Sequence, residues 1–250
     1  MHYVMSDLHG RWDLYTAMLE QIEFSPEDRL YILGDVVDRN RGGIRIFKDI
    51  LARPNVQMLL GNNEHMMRHA VTAPEERTLN GRETNRAIWY RNGGNITQAE
   101  WDLEPETVRA RILERIESLP LNLTVEVGST RFLLCHASPV SMFRVYGFFY
   151  PDEKEFAVWQ RIPLAPPPLG DRTILIGHTP TRHVQRADWP RMRIAHGDGV
   201  IDLDCGCVFP EYGGQLGCLR LEDGMEFYSV EGSVRAGEAA AWKARYVQSI

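Results

Sequence analysis

Five times along this chain a short apolar run stops at a side chain that can bind a metal: "VMSDLHG", "YILGDVVDRN", "LLGNNEH", "FLLCHAS" and "ILIGHTP". Each run reads as a buried strand closed by polar or glycine residues. The first three are separated by stretches with helical spacing. "RWDLYTAMLEQI" brings Leu14, Met18 and Ile22 to one side, and "GIRIFKDILA" does the same for Ile44, Phe47, Ile50 and Leu51. Alternating strands and helices predict α/β layering. In open α/β sheets, ligands bind beyond the carboxyl ends of the strands. Five such ends with the same kind of residue predict one shared metal site.

Residues 66–120 break this rhythm. "HMMRHAV", "RETNRAIWYRNGG" and "TVRARILERIESL" read as helices, so a helical insertion that walls or caps the site is expected. Strands resume at "LNLTVEV" and "TRFLLCHAS", and "IPLAPPPLG" reads as a loop. "VIDLDCG" and "GCLRLEDGMEFYSV" read as hairpin strands closing the sheet, and "EAAAWKARYV" as a short helix. With 44% hydrophobic residues and no internal repeat, the 250 residues are expected to form one domain over 1–250.

The donors at the strand ends are Asp7, His9, Asp35, Asn62, His136 and His178. Oxygen and imidazole ligands without a thiolate suit Mn²⁺ first, with Fe or Zn²⁺ as alternatives, better than a structural zinc. They are too many for one ion. Two divalent ions bridged by Asp35 use them well: Asp7, His9 and Asp35 around the first, and Asp35, Asn62, His136 and His178 around the second. Two such ions less two aspartates leave a surplus that matches a phosphate dianion. Arg39, Arg161 and Asn62 are the expected phosphate contacts. An ion pair about 3.5–4 Å apart lowers the pKa of a bridging water, and the hydroxide attacks phosphorus in line. The leaving alkoxide then needs a proton.

In order and spacing, "DLH" at 7–9, "GDVVDRN" at 34–40, "GNNE" at 61–64, "CHAS" at 135–138 and "GHTP" at 177–180 resemble the calcineurin-like metallophosphoesterase superfamily. They resemble its phosphoprotein phosphatase branch in particular: DxH, GDxxDRG, GNHE and two later histidines. "WYRNGG" at 89–94 and "IDLDCG" at 201–206 also look like the bacteriophage lambda and bacterial protein phosphatases. The resemblance implies a four-layer αββα sandwich with the dimetal site at one sheet edge. It implies phosphate binding by Arg39 and, from its place after "VW", by Arg161. It implies a phosphomonoesterase acting on phosphoserine, phosphothreonine or phosphotyrosine in proteins, or on small phosphate esters.

Two residues depart from that pattern. Asn40 replaces the glycine of DRG, which changes loop chemistry. Asn63 replaces the histidine of GNHE. In the family that histidine protonates the leaving group and pairs with the aspartate that is Asp38 here. An amide keeps a hydrogen bond but delivers no proton near neutral pH. The chain is therefore expected to be an impaired form: a deliberate His→Asn variant, a natural specialised enzyme, or one in which His65 takes over. Two residues along a helix turn His65 roughly 200° away, which argues against the last. Two other functions fit the same motifs. One is a symmetrical dinucleoside polyphosphate hydrolase, such as one for diadenosine tetraphosphate, which calls for an aromatic pocket walled by 66–120 and 141–170. The other is a non-catalytic phosphate-binding module.

The net charge of −6 gives no support to a nucleic-acid partner. No apolar run approaches the roughly 20 residues that span a bilayer, and "MHYVMSDLHG" carries no secretory pattern. Cys135, Cys205, Cys207 and Cys218 form no CxxC pair and are expected to be reduced, buried thiols of a cytoplasmic monomer. His69, His183 and His196 are expected to be structural or exposed. Trp12, Trp89, Trp101 and Trp159 are expected to pack, with Trp159 beside Arg161 able to line the pocket.

Overall fold

The strands alternate between two buried faces, and that alternation builds the layers. The computed structural model describes residues 1–78, 81–166, 170–184 and 190–234. The helix expected over "EAAAWKARYV" lies outside them. In chain order the first half contains β1 (His2–Met5), α1 (Trp12–Gln21), β2 (Arg29–Ile32), α2 (Gly43–Ala52), β3 (Val56–Met58), α3 (Asn62–Thr72), α4 (Asn85–Arg91), α5 (Gly94–Trp101) and α6 (Glu106–Ser118). The second half contains β4 (Asn122–Val127), β5 (Thr130–Cys135), α7 (Phe143–Tyr146), α8 (Glu153–Trp159), β6 (Arg172–Ile176), β7 (Ala195–His196), β8 (Val200–Asp202), β9 (Gly217–Arg220), β10 (Glu226–Tyr228) and β11 (Gly232–Val234). One sheet runs β11-β10-β9-β1-β2-β3 and the other β4-β5-β6-β8-β7.

Tyr3, Met5, Leu30 and Ile32 point to a helical layer in which Tyr15, Met18, Phe47 and Ile50 of α1 and α2 complete a core. Val4, Tyr31 and Leu33 point the other way and meet Phe132, Leu134 and Leu175 of the second sheet. The outer face of that sheet, with Ile174, Ile176 and Val200, is covered by Met142 and by Phe156 of α8. Helices, sheet, sheet and helices thus give the four layers expected. Each fully buried large side chain stabilises this arrangement by roughly 1.5–3 kcal/mol.

Three local readings change. α3 begins at Asn62, so the "GNNE" residues form its first turn. α5 was not anticipated, because Gly93, Gly94 and Asn95 interrupt the apolar pattern; Gly93, at φ +98°, starts it. The strand over "VIDLDCG" does not pair with "GCLRLED". β8 lies parallel to β6 in one sheet, while the β9–β10 hairpin adds antiparallel to β1 in the other. The helices of 66–120 also do more than cap: Trp89, Trp101, Ile112 and Ile116 share the core of β1, β2, α1 and α2. No helix among the described residues is long and apolar enough to cross a membrane. The four cysteines are buried free thiols.

Candidate dimetal site

Parallel pairing aligns the strand ends. Met5 lies beside Ile32 and Ile32 beside Met58 in one sheet, and Leu134 beside Leu175 in the other. The loops that follow therefore emerge together, and the two sheets meet there. His136 Nδ1 lies 2.8 Å from the Leu33 carbonyl, which joins them directly. Close approach dictates two glycines. A Cβ at Gly61 would lie 2.3 Å from Asp35 Oδ1, and one at Gly177 would lie 1.9 Å from Ser6 Oγ.

The loops are wound tightly. Asp7, His9, Asp35, Asp38, Arg39 and His178 have φ between +42° and +74°; among the described residues the only other non-glycine with positive φ is Glu23. Such conformations cost about 1–3 kcal/mol each and persist where the surroundings over-determine them. Glu64 is one such constraint. Fully buried in α3, it accepts from the N–H groups of Asp35 (2.9 Å), Val36 (2.8 Å), Val37 (3.2 Å) and Gly61 (3.1 Å). Burial, then Asp35, push its carboxyl up to about 7.

All six expected ligands converge. Asp7, His9 and Asp35 form one group of donor atoms within 4.8 Å of one another, and Asp35, His136 and His178 form a second. Asn62 Oδ1 completes the second, 3.0 Å from His136 Nε2 and 2.9 Å from His178 Nδ1. The two oxygens of Asp35 divide between the groups: Oδ2 lies 3.7 Å from His9 Nε2, and Oδ1 3.5 Å from His136 Nε2. That is the disposition of a bridging carboxylate. Ligands held about 2.0–2.2 Å from one ion lie about 3–3.6 Å apart, so these spacings fit ions with little movement.

Supporting contacts orient the donors. His9 Nδ1 faces the Val37 carbonyl at 3.2 Å, leaving Nε2 for the site. Ser6 Oγ and the His178 N–H donate to Asp7 Oδ2, leaving Oδ1. Such outer contacts fix ring orientation and ligand basicity. Burial, then Arg39, pull His9 down to about 3; burial, then His136, do the same to His178. Both rings are therefore neutral bases. Burial, then Asp35, push Asp7 up to about 6. Burial also acts on Asp35, but His136, itself raised by the carboxylates beside it, and the Asn63 N–H hold its carboxylate below the ordinary value. Neutral imidazoles around crowded carboxylates fit divalent cations.

A cavity of about 490 Å³ opens onto the cluster, lined by Asp7, His9, Asp35, Asn62 and His178. The other two expected phosphate contacts, Arg39 and Arg161, line it as Asn62 does. Trp159 meets His178 edge-on at 5.9 Å, so it lines the pocket as a buttress for that ring. Among the described residues the segments expected to wall the pocket contribute little: 66–120 gives Asn92, and 141–170 gives Trp159 and Arg161. Most of the remaining wall among the described residues comes from 180–183, Met192 and 204–212, including Arg182, His183, Phe209 and Tyr212.

Asp38 and Asn63 do not pair. Asp38 is fully buried, and its carboxylate accepts from Trp89 Nε1 at 2.9–3.0 Å, while its N–H donates to Thr97 Oγ1. Burial pushes its carboxyl well above the usual range. Asn63 is equally buried, and its Nδ2 donates to Asp35 Oδ2 at 2.7 Å. Neither lines the cavity. His65 is buried, 2.9 Å from Glu155, and off the cavity, as its helical position predicts.

Asp204 was missed by the sequence reading. It is buried, lines the cavity, and follows β8 as Asp35 follows β2. The same rule, an apolar strand ending in a carboxylate, applied to "VIDLDCG" would have found it. Burial, then Asp7, push its carboxyl well above the usual range.

Two sheets with a cluster of oxygen and imidazole donors between their edges define a metal-dependent phosphoesterase. The chain belongs to the calcineurin-like phosphoesterase family, whose model matches residues 3–205. A symmetrical bis(5'-nucleosyl)-tetraphosphatase of Serratia proteamaculans is 26% identical over 278 aligned positions, covering 90% of this chain and 92% of the relative. The enzyme of the same name from Shigella flexneri is 26% identical, covering 96% and 99%. Among solved structures, the cold-active protein-tyrosine phosphatase of a psychrophilic Shewanella has a TM-score of 0.54 at 13% identity, covering 94% of this chain and 79% of its own. A protein serine/threonine phosphatase of Saccharomyces cerevisiae has a TM-score of 0.53 at 15% identity, covering 87% and 71%. These two likenesses establish the fold.

Proposed function

We propose that this chain hydrolyses phosphoanhydrides of the dinucleoside polyphosphate class, cutting symmetrically to two nucleoside diphosphates, in preference to phosphoserine or phosphothreonine in proteins. The observation that carries this reading is Asn63. Its amide is buried and bound to Asp35, and it has no proton to give. A serine alkoxide has a conjugate acid with a pKa near that of water, about 15.7, and needs a donor as it leaves. A nucleoside diphosphate leaves through a phosphate whose second pKa is about 6, so it departs unprotonated at neutral pH. The 26% identity to symmetrical tetraphosphatases supports the same substrate class.

Asp7, His9, Asp35, Asn62, His136 and His178 would hold two divalent ions. Such ions supply Lewis acidity at the phosphoryl oxygen and lower the pKa of water toward neutrality. Arg39 and Arg161, on the cavity wall, would clamp the polyphosphate oxygens. Asp38 acts at one remove: it is held by Trp89 and Thr97 and fixes the loop from which Arg39 projects. The reading takes Asn63 as native, so the encoding gene carries an asparagine codon there.

The test is turnover in manganese of diadenosine tetraphosphate, a phosphoserine peptide and para-nitrophenyl phosphate. The tetraphosphate should give two ADP, with kcat/KM at least tenfold above that of the peptide. Faster turnover of the peptide would restore the protein-phosphatase reading. Binding of all three without turnover would favour the phosphate-binding module.

A further inference from the structure

We infer that Tyr212, backed by Arg182, is a stacking platform for the base of a nucleotide whose phosphates lie against the metal end of the cavity. The inference rests on the dinucleotide reading above and adds the residue that distinguishes a nucleotide from a bare polyphosphate.

Among the described residues three aromatic side chains, Trp159, Phe209 and Tyr212, line the cavity, and of these Tyr212 presents open ring surface for a ligand. Trp159 is turned edge-on to His178 and half-buried. Phe209 packs on the core between the sheets and lies under the Arg39 guanidinium, 5.7 Å away. Tyr212 is 56% exposed, and among the described residues its hydroxyl makes no hydrogen bond. The Arg182 guanidinium lies 4.5 Å from the centre of the Tyr212 ring, over one face. With that face backed and the residue still so exposed, ring surface remains for a planar partner. Neither residue is placed to serve the core.

The platform is held rigidly to the site. Tyr212 ends a short 3₁₀ turn, Pro210–Tyr212, and its N–H donates to the Phe209 carbonyl at 3.0 Å. The turn is closed by Gly213 at φ +79°, where a Cβ would lie 2.3 Å from the Pro190 carbonyl oxygen. Arg182 lies in the turn Thr181–His183, which follows His178 directly. The Thr181 N–H donates to the Asp204 carbonyl at 2.8 Å and ties that turn to the loop leading to Tyr212. Both halves of the platform therefore hang from loops that begin at the metal cluster. A rigid aromatic surface orders little on binding, so stacking on it shows directly as affinity. Stacking of a base on an aromatic side chain is worth about five- to 150-fold in binding, with little dependence on which base.

The test compares binding of ADP and inorganic pyrophosphate, by calorimetry in manganese, to the full chain and to Tyr212→Ala and Tyr212→Phe. The unaltered chain should bind ADP about five- to 150-fold more tightly than pyrophosphate. Tyr212→Ala should remove that preference and leave pyrophosphate affinity unchanged, and Tyr212→Phe should keep it. Equal affinity for the two ligands in the unaltered chain, or a loss in Tyr212→Ala that falls equally on both, would overturn the platform. These are binding ratios and stand apart from turnover. A chain that cleaves no tetraphosphate but keeps a Tyr212-dependent preference for ADP retains the platform and loses only the reaction.

Discussion

The leaving-group argument is tested most directly by Asn63→His. A positioned general acid contributes about 10²–10⁴ in rate, or about 2.7–5.4 kcal/mol at 1.36 kcal/mol per tenfold. That gain is available only where the departing oxygen needs a proton. It should be largest for an alkyl phosphate, smaller for para-nitrophenyl phosphate, whose leaving phenol is far more acidic than an alcohol, and absent for a nucleoside diphosphate. The structure places the alkyl gain at the low end, about 10². Asp38 is turned to Trp89 Nε1 and lies off the cavity, so it is not placed to orient a new imidazole that faces the substrate. That imidazole must also leave the fully buried pocket of Asn63, because overfilling a packed site costs about 1–3 kcal/mol. The assay is kcat/KM in manganese for an alkyl phosphate, para-nitrophenyl phosphate and diadenosine tetraphosphate, with and without the substitution. A uniform gain across all three, or the largest gain on the tetraphosphate, would refute the reasoning. Rapid turnover of the alkyl phosphate by the unaltered chain would refute it as well, and would point to another donor on the cavity wall such as His183.

Three further outcomes follow from the same contacts. Glu64→Gln leaves two of the four loop N–H groups facing an amide donor, at about 1–3 kcal/mol each. Calorimetry at pH 8, above the value of about 7 to which burial raises this carboxyl, should show the melting temperature lower by roughly 4–20 °C; no change would mean that the loops are held by other contacts. Trp89→Phe removes an N–H donor shared by both carboxylate oxygens of Asp38. It should destabilise by about 1–3 kcal/mol and raise KM by loosening the loop of Arg39; an unchanged KM would count against that coupling. Manganese at about 100 times its dissociation constant should stabilise the chelated protein by about 2.7 kcal/mol. Asp35→Asn should abolish most of that shift, since one side chain serves both donor groups, and a shift that survives intact would remove Asp35 from the bridge.

The donor set was legible because each ligand lies within a few residues of a strand end. A strand end is marked in the sequence by where the apolar run stops. Asp7, His9, Asp35, Asn62, His136 and His178 could be expected at one rim before any coordinates, because each follows a strand end, and the structure draws five of them into two groups that share Asp35. The same local logic yielded the cluster but missed Asp204, whose short strand was read as part of a hairpin when it lies parallel to β6.

What the sequence by itself determined was the chemistry of the rim: oxygen and imidazole donors, two arginines nearby, and an amide in place of the acid. What only the tertiary structure decided was the company those residues keep. It turned Asn63 toward Asp35 and Asp38 toward Trp89, and it brought Arg182 onto the ring of Tyr212 to wall the cavity. The reason is physical. A ligand's place follows from the backbone a few residues away, which period and turn chemistry specify. A contact between residues 38 and 89, or 182 and 212, depends on how helices and loops pack over the sheets, and no local pattern records it.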